Sequence, residues 1–331
     1  MADKLSFALG GKRVFVAGHR GMVGSALVRR LGRIDCEVLT VDRAALDLKD
    51  QRAALEWFEH ARPDAVFAAA ALVGGILANS TRPAEFLREN LAIEANLIEA
   101  AHRAGVRKLM FFGSSCVYPR SAPQPMAEEA LLTGALEGTI EWYAIAKIAG
   151  IKLCQAFRSQ YGCNFISVVP SNLYGPNDNF DLASGHVLAA LLAKIHMAKI
   201  AGATEVVIWG TGTPRREFLH VDDLADACIF LMERYDKAGH INIGSGEDLT
   251  ITTLAELIAD VVGWRGRLVY DQSKPDGTPR RLLDVSRLAR LGWRARIVLE
   301  DGIRATYDWF LGAYDAPGTV PRAGATNRLT S

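Results

Sequence analysis

The sequence predicts an α/β protein: a doubly wound parallel sheet with a smaller, interleaved α/β lobe attached to it. Three observations lead there. Short runs rich in valine, isoleucine and phenylalanine alternate with longer helical patterns through the first half of the chain. Strands of that kind, apolar on both faces, belong to parallel sheets covered by helices on each side. A glycine-rich turn joins the first strand to the first helix. The alternation then loosens after Asn172, as expected where a second lobe is threaded into the first.

The elements follow in order. Arg13–Gly18 reads as a short buried strand, then a glycine turn, then a helix from about Gly21 to Arg33. Glu37–Val41 and Ala65–Ala70 are the second and third strands, separated by a helix through Leu55, Trp57 and Phe58. A long helix over Pro83–Ala104 carries proline in its first turn, where the missing N–H costs nothing. Lys108–Phe112 is the fourth strand, Glu141–Tyr161 a helix and Phe165–Val169 the fifth strand. Beyond them come a helix near His186–Ile200 and a strand over Glu205–Trp209. A helix opening at His220-Val221-Asp222-Asp223 is expected to return to the first lobe. The division is thus 1–172 with a return segment near 217–243, then 173–216 and 244–315 as the second lobe. The tail 316–331, rich in Gly, Pro, Thr and Arg, is expected to be loose.

Bulk properties narrow the function. At 331 residues, half of them hydrophobic, the chain can bury a large core. A formal net charge of +1 offers no electrostatic case for nucleic acid or a membrane surface as partner. No apolar run reaches bilayer-spanning length, and Met1-Ala2-Asp3-Lys4-Leu5 does not resemble a secretory signal. Cysteines 36, 116, 154, 163 and 228 show neither Cys-x-x-Cys nor metal spacing, which fits a reducing, cytoplasmic setting and no metal.

In the turn Gly18-His19-Arg20-Gly21-Met22-Val23-Gly24, the first glycine permits the reversal. The second lets backbone approach a pyrophosphate at the helix N-terminus, and the third lets helix and strand pack closely. This is the signature of a Rossmann-type dinucleotide site. Asp42, ending the second strand, suits the ribose hydroxyls of NAD(H). Arg20 and Arg43 suit a 2′-phosphate, hence NADP(H), and equally a solvated surface.

Ser114, just beyond the fourth strand, lies on the carboxyl edge where such sheets bind ligands. Tyr143 and Lys147 stand four apart, so they share a helix face. An ammonium beside a tyrosine lowers the phenol's pKa, which suits the pair, with Ser114, to proton transfer at a carbonyl oxygen. Cys116 lies two residues past Ser114. An unpaired cysteine is commonly a small buried hydrophobe, but as thiolate at this position it can take a proton from carbon beside a ketone. His186 can give or receive a proton near neutrality.

Longer motifs strengthen the reading. Val14 through Ser25, Val73-Gly74-Gly75-Ile76, Gly113–Pro119 and Tyr143 through Gly150 are four of them. Asn172-Leu173-Tyr174-Gly175-Pro176, Arg216–Leu219 and Lys274–Arg280 are three more. Together they resemble the extended short-chain dehydrogenase/reductases, and most closely the GDP-L-fucose synthase family of 3,5-epimerase-4-reductases, over nearly Arg13 to Leu311. The resemblance implies NADPH, a GDP-4-keto-6-deoxymannose substrate and a homodimer. It implies Cys116 as base and His186 as acid for inversion at C3 and C5, then reduction at C4 with Tyr143 as proton donor. By the same resemblance Asn172, Val187, Leu191, Lys194, Trp209, Arg216 and Arg281 line the sugar-nucleotide site. Arg216 suits a diphosphate on chemistry alone, and Trp209 suits the second lobe's core equally well. The alternative is an epimerase/reductase or simple 4-reductase for another GDP-sugar, of colitose or heptose type.

Overall fold

The computed structural model describes residues 5–313, except 183 and 275 and the side chains of 76 and 77. From the amino end come strand β1 (Arg13–Ala17), helix α1 (Met22–Leu31), β2 (Glu37–Leu39), α2 (Gln51–Ala61) and β3 (Ala65–Ala68). Next are α3 (Ile76–Thr81), α4 (Pro83–Arg103), β4 (Lys108–Phe112), α5 (Glu141–Tyr161) and β5 (Phe165–Pro170). The chain continues through β6 (Asn172–Tyr174), α6 (Val187–Ile200), β7 (Glu205–Trp209), β8 (Arg215–His220), α7 (Val221–Arg234) and β9 (Ile241–Ile243). It ends with β10 (Asp248–Thr250), α8 (Ile251–Val262), β11 (Arg267–Asp271), β12 (Arg280–Arg281), α9 (Ser286–Arg290) and α10 (Leu299–Ala313).

Six strands form one sheet in the order β2-β1-β3-β4-β5-β9, every pair parallel. Because successive side chains of a strand point to opposite faces, β1 supplies both layers of core. Val14 and Val16 meet Leu27 and Leu31 of α1 and Leu224 and Ala227 of α7 on one face. Phe15 and Ala17 meet Phe58 of α2 and Leu97 and Ile98 of α4 on the other. Each fully buried Val, Leu, Ile or Phe side chain among them contributes about 1.5–3 kcal/mol relative to exposure. The chain leaves β1 to one side for β2 and crosses to the other for β3. The carboxyl ends of β1 and β3 therefore open a crevice at the switch point, the place where sheets of this kind bind ligands.

The second lobe has its own core, in which Leu188, Leu192 and Ile195 of α6 pack with Leu254 and Ile258 of α8 and Ile303 and Phe310 of α10. β7 pairs with β11, while β8 is flanked by β10 and β12 and also pairs with β6. α7 leads back and packs on α1, and β9 completes the main sheet. His186, read from sequence as the first residue of its helix, is the N-cap of α6. The tail 316–331 lies outside the described residues. Among those described, no helix is long and apolar enough to cross a membrane.

Candidate active site

The glycine turn is built as its spacing requires at two of three positions. Gly18 has φ 77°, and a β-carbon there would stand 2.9 Å from Ala70 Cα. A β-carbon at Gly24 would stand 2.1 Å from the Gly18 carbonyl oxygen, so the helix can begin this close to the turn only without a side chain. Gly21, the N-cap of α1, meets only ordinary contacts within the protein. The first turn of α1 has no acidic residue, and Gly21 through Gly24 open onto a cavity of about 680 Å³. A helix N-terminus free of carboxylates and facing open space suits a pyrophosphate. The residues present therefore fit a dinucleotide.

Asp42 does not stand alone. Its carboxylate pairs with Arg20 at 2.7 Å and approaches His19 at 3.4 Å. Arg43 is exposed, 4.0 Å from Glu89. Arg20, Asp42 and Arg43 line neither this cavity nor the one that continues from it.

Ser114, Tyr143, Lys147 and His186 all border the dinucleotide-sized cavity. Ser114 precedes a 3₁₀ turn over Ser115–Val117 at the end of β4, and Tyr143 and Lys147 occupy the first two turns of α5. Lys147 Nζ lies 5.8 Å from the Tyr143 ring centroid and 4.7 Å from that of Phe111. Contrary to the expectation that Lys147 lowers it, burial holds the Tyr143 phenol well above its ordinary pKa of 10.0, with Cys116 and Glu94 adding to the shift. The hydroxyl therefore keeps its proton at neutral pH, the form needed in a proton donor.

A second cavity of about 610 Å³ continues from the first, sharing Ser114, Tyr143, Asn172 and His186 and adding Cys116. Burial raises the Cys116 thiol above 9.0, while a hydrogen bond with Ser114 and the charges of Arg281 and Lys147 pull it down. The His186 ring is reached by solvent through the cleft, yet the surrounding walls desolvate its imidazolium and push the pKa below 6.5. The other four cysteines line neither cavity. Cys154 and Cys228 are buried, and Cys36 and Cys163 are half-buried.

All seven residues assigned by resemblance to the sugar-nucleotide site lie on this second cavity's wall. Val187 and Leu191 give apolar surface, and Asn172 Nδ2 donates to the Glu217 carbonyl at 2.8 Å. Lys194 Nζ donates to the Val207 carbonyl at 2.5 Å. Trp209 is 58% exposed at the cavity mouth, with Lys274 Nζ 5.6 Å from its ring centroid, so it is not core. Arg216 and Arg281 are register partners on β8 and β12. Burial, with help from Arg281, lowers the Arg216 guanidinium to about 10. Two partly desolvated cations side by side favour an anion between them.

Two features were not anticipated. Asp276 and Thr278 join the wall within the Lys274–Arg280 motif, close to Arg216. Glu94 of α4 forms a buried ion pair with Lys147 at 2.9 Å. The sequence did carry a signal for Glu94, because it lies in phase with Phe86, Asn90, Leu97 and Ile98 on the buried stripe of its helix.

Residues 14–244 match the NAD dependent epimerase/dehydratase family. A GDP-L-fucose synthase of Sinorhizobium fredii is 56% identical over 305 residues, 92% of this chain and 97% of that protein. A GDP-L-colitose synthase of Yersinia pseudotuberculosis is 39% identical, covering 90% of this chain and 98% of its own. The crystal structure of a GDP-L-fucose synthetase from Naegleria fowleri bound to NADP superposes with a TM-score of 0.88 at 28% identity, covering 95% and 98% of the two chains. The chain therefore belongs to the NAD dependent epimerase/dehydratase family and, within it, to the GDP-L-fucose synthases.

Proposed function

We propose that the protein converts GDP-4-keto-6-deoxy-D-mannose to GDP-L-fucose, inverting C3 and C5 before reducing C4. The observation that carries this is one cavity wall holding Cys116 and His186 together with Ser114 and Tyr143. A simple reductase has no use for a thiol and an imidazole there.

Ser114 donates a hydrogen bond to the C4 oxygen and fixes its place. The C4 ketone acidifies the neighbouring C–H bonds, so both inversions must precede its reduction. Cys116 Sγ, as thiolate, removes the proton at C3 or C5, and His186 returns one on the opposite face. Arg281 and Lys147 favour the thiolate by their charge. The nicotinamide cofactor, when bound, supplies the hydride at C4. Tyr143 gives its proton to the C4 oxygen, with the Lys147 ammonium stabilising the phenolate that results. Arg216 and Arg281 hold the diphosphate, and Val187, Leu191, Lys194, Trp209 and Asn172 form the rest of the nucleotide-sugar wall.

NADPH is the reading for the reductant, and Arg20 and Arg43 beside Asp42 are the cations that would hold its 2′-phosphate. The Arg20–Asp42 pair supports it, because the carboxylate that would repel a phosphate is already offset. A homodimer through α4 and α5 and a cytoplasmic setting complete the proposal.

Incubating the protein with GDP-4-keto-6-deoxymannose and NADPH, and identifying the product by NMR, tests the reading. GDP-L-fucose is expected. A C4-reduced product that keeps either original configuration at C3 or C5 would refute it.

A further inference from the structure

Glu94 stands behind the active-site lysine and lines neither cavity. Its side chain and that of Lys147 are 3% and 2% exposed. Helix α5 leaves space for it: a β-carbon at Gly150 would lie 2.8 Å from Glu94 Oε2 and 2.2 Å from Phe111 Cζ. Phe111 closes the other side, its ring beneath the ammonium. Oε2 has no hydrogen-bond donor in reach. A buried ion pair is no more stabilising than well-packed apolar residues of the same volume, so the charge calls for a purpose other than stability.

We propose that Glu94 is a positioning residue for the reduction step, anchoring the Lys147 ammonium beneath Tyr143 where the hydroxyl gives up its proton. The inference rests on the epimerase/reductase reading above. Around the pair stand Tyr143 and Cys154 of α5 and Cys116 beyond β4. Burial raises the Glu94 carboxyl, and the Lys147 ammonium draws it back. Glu94 in turn opposes ionisation of Tyr143, since a carboxylate disfavours a second anion nearby. Cys116 depends on Lys147 less than on Ser114 and Arg281, so the inversions are largely spared.

Replacing the carboxylate leaves an ammonium without counter-charge beside a phenol no longer held neutral. The phenol then does not keep its proton as far into the alkaline range. Reduction consumes the Tyr143 proton, so the alkaline limb of its pH profile moves to lower pH.

The test compares wild type with Glu94→Gln in two assays. One is deuterium exchange at C3 and C5 of GDP-4-keto-6-deoxymannose without nicotinamide. The other is single-turnover NADPH consumption, from neutral to alkaline pH, after exchange has equilibrated. Wild type must show both activities; failure of either sinks the epimerase/reductase reading and this inference with it. Given both, Glu94→Gln is expected to slow reduction roughly tenfold and lower its alkaline limb by about one pH unit, with exchange within about threefold. An unmoved reduction profile, or equal losses in both assays, overturns the role. If Glu94→Gln does not fold, Glu94→Asp keeps the charge one methylene short: slower reduction with exchange retained supports the role, and equal losses overturn it.

Discussion

At Cys116, burial and electrostatics oppose each other: desolvation favours the thiol, while Ser114, Arg281 and Lys147 favour the thiolate. A base whose pKa is raised gains its active form as pH rises, so exchange at C3 and C5 should climb from neutral pH into the alkaline range. Cys116→Ser should cut that exchange by about 10²–10⁴-fold while reduction of an already inverted ketone changes far less. Equal losses in the two steps, measured by NMR and NADPH absorbance, would reject the division of labour. Asp42 gives a second expectation. Asp42→Asn removes the charge that pairs with Arg20 and frees the guanidinium for a 2′-phosphate, so the NADPH/NADH ratio of kcat/KM should rise roughly tenfold. A rise that comes from lost NADH activity, with kcat/KM for NADPH unchanged, would assign Asp42 to the ribose. That Ser114, Tyr143, Lys147 and Cys116 border one cleft was legible because their spacing is local to one strand end and one helix face. Glu94 was not, because a lone glutamate in a long helix looks like a solvated one until its phase against Phe86 and Ile98 is followed.

Helices α4 and α5 pack along their length and between them bury the Glu94–Lys147 pair. At Gly150, Phe111 of β4 and Glu94 of α4 both lie inside the volume a methyl group would need. Gly150→Ala should therefore lower unfolding stability by about 1–3 kcal/mol in a urea titration. A change near zero would show that Phe111 moves aside freely. Long elements of this kind were readable, since hydrophobic runs and helical phase persist over many residues. The short strands β6, β10 and β12 were not: two or three residues carry no period, and pairing with β8 alone defines them. α3 escaped for the same reason, six residues directly after Gly74-Gly75.

Across the whole molecule the proposed chemistry is divided between lobes. The sheet brings Ser114, Cys116, Tyr143 and Lys147 to one side of the cleft, and the second lobe brings His186, Lys194, Trp209 and Arg216 to the other. Sequence order alone hid that meeting, because α7 and β9 return to the sheet after the second lobe has begun. The proposed homodimer belongs to this scale too. Leu91, Trp142 and Tyr161 leave apolar surface exposed on α4 and α5. Light scattering should give twice the 36.0 kDa chain mass, and a monomeric mass would remove the proposed interface. The central claim is that one cleft performs two inversions and one reduction. NMR of GDP-4-keto-6-deoxymannose with the protein in deuterated water, first without nicotinamide and then with NADPH, tests it most directly. Deuterium entering both C3 and C5, followed by GDP-L-fucose on addition of NADPH, is the predicted result; reduction with no exchange at either carbon would contradict it.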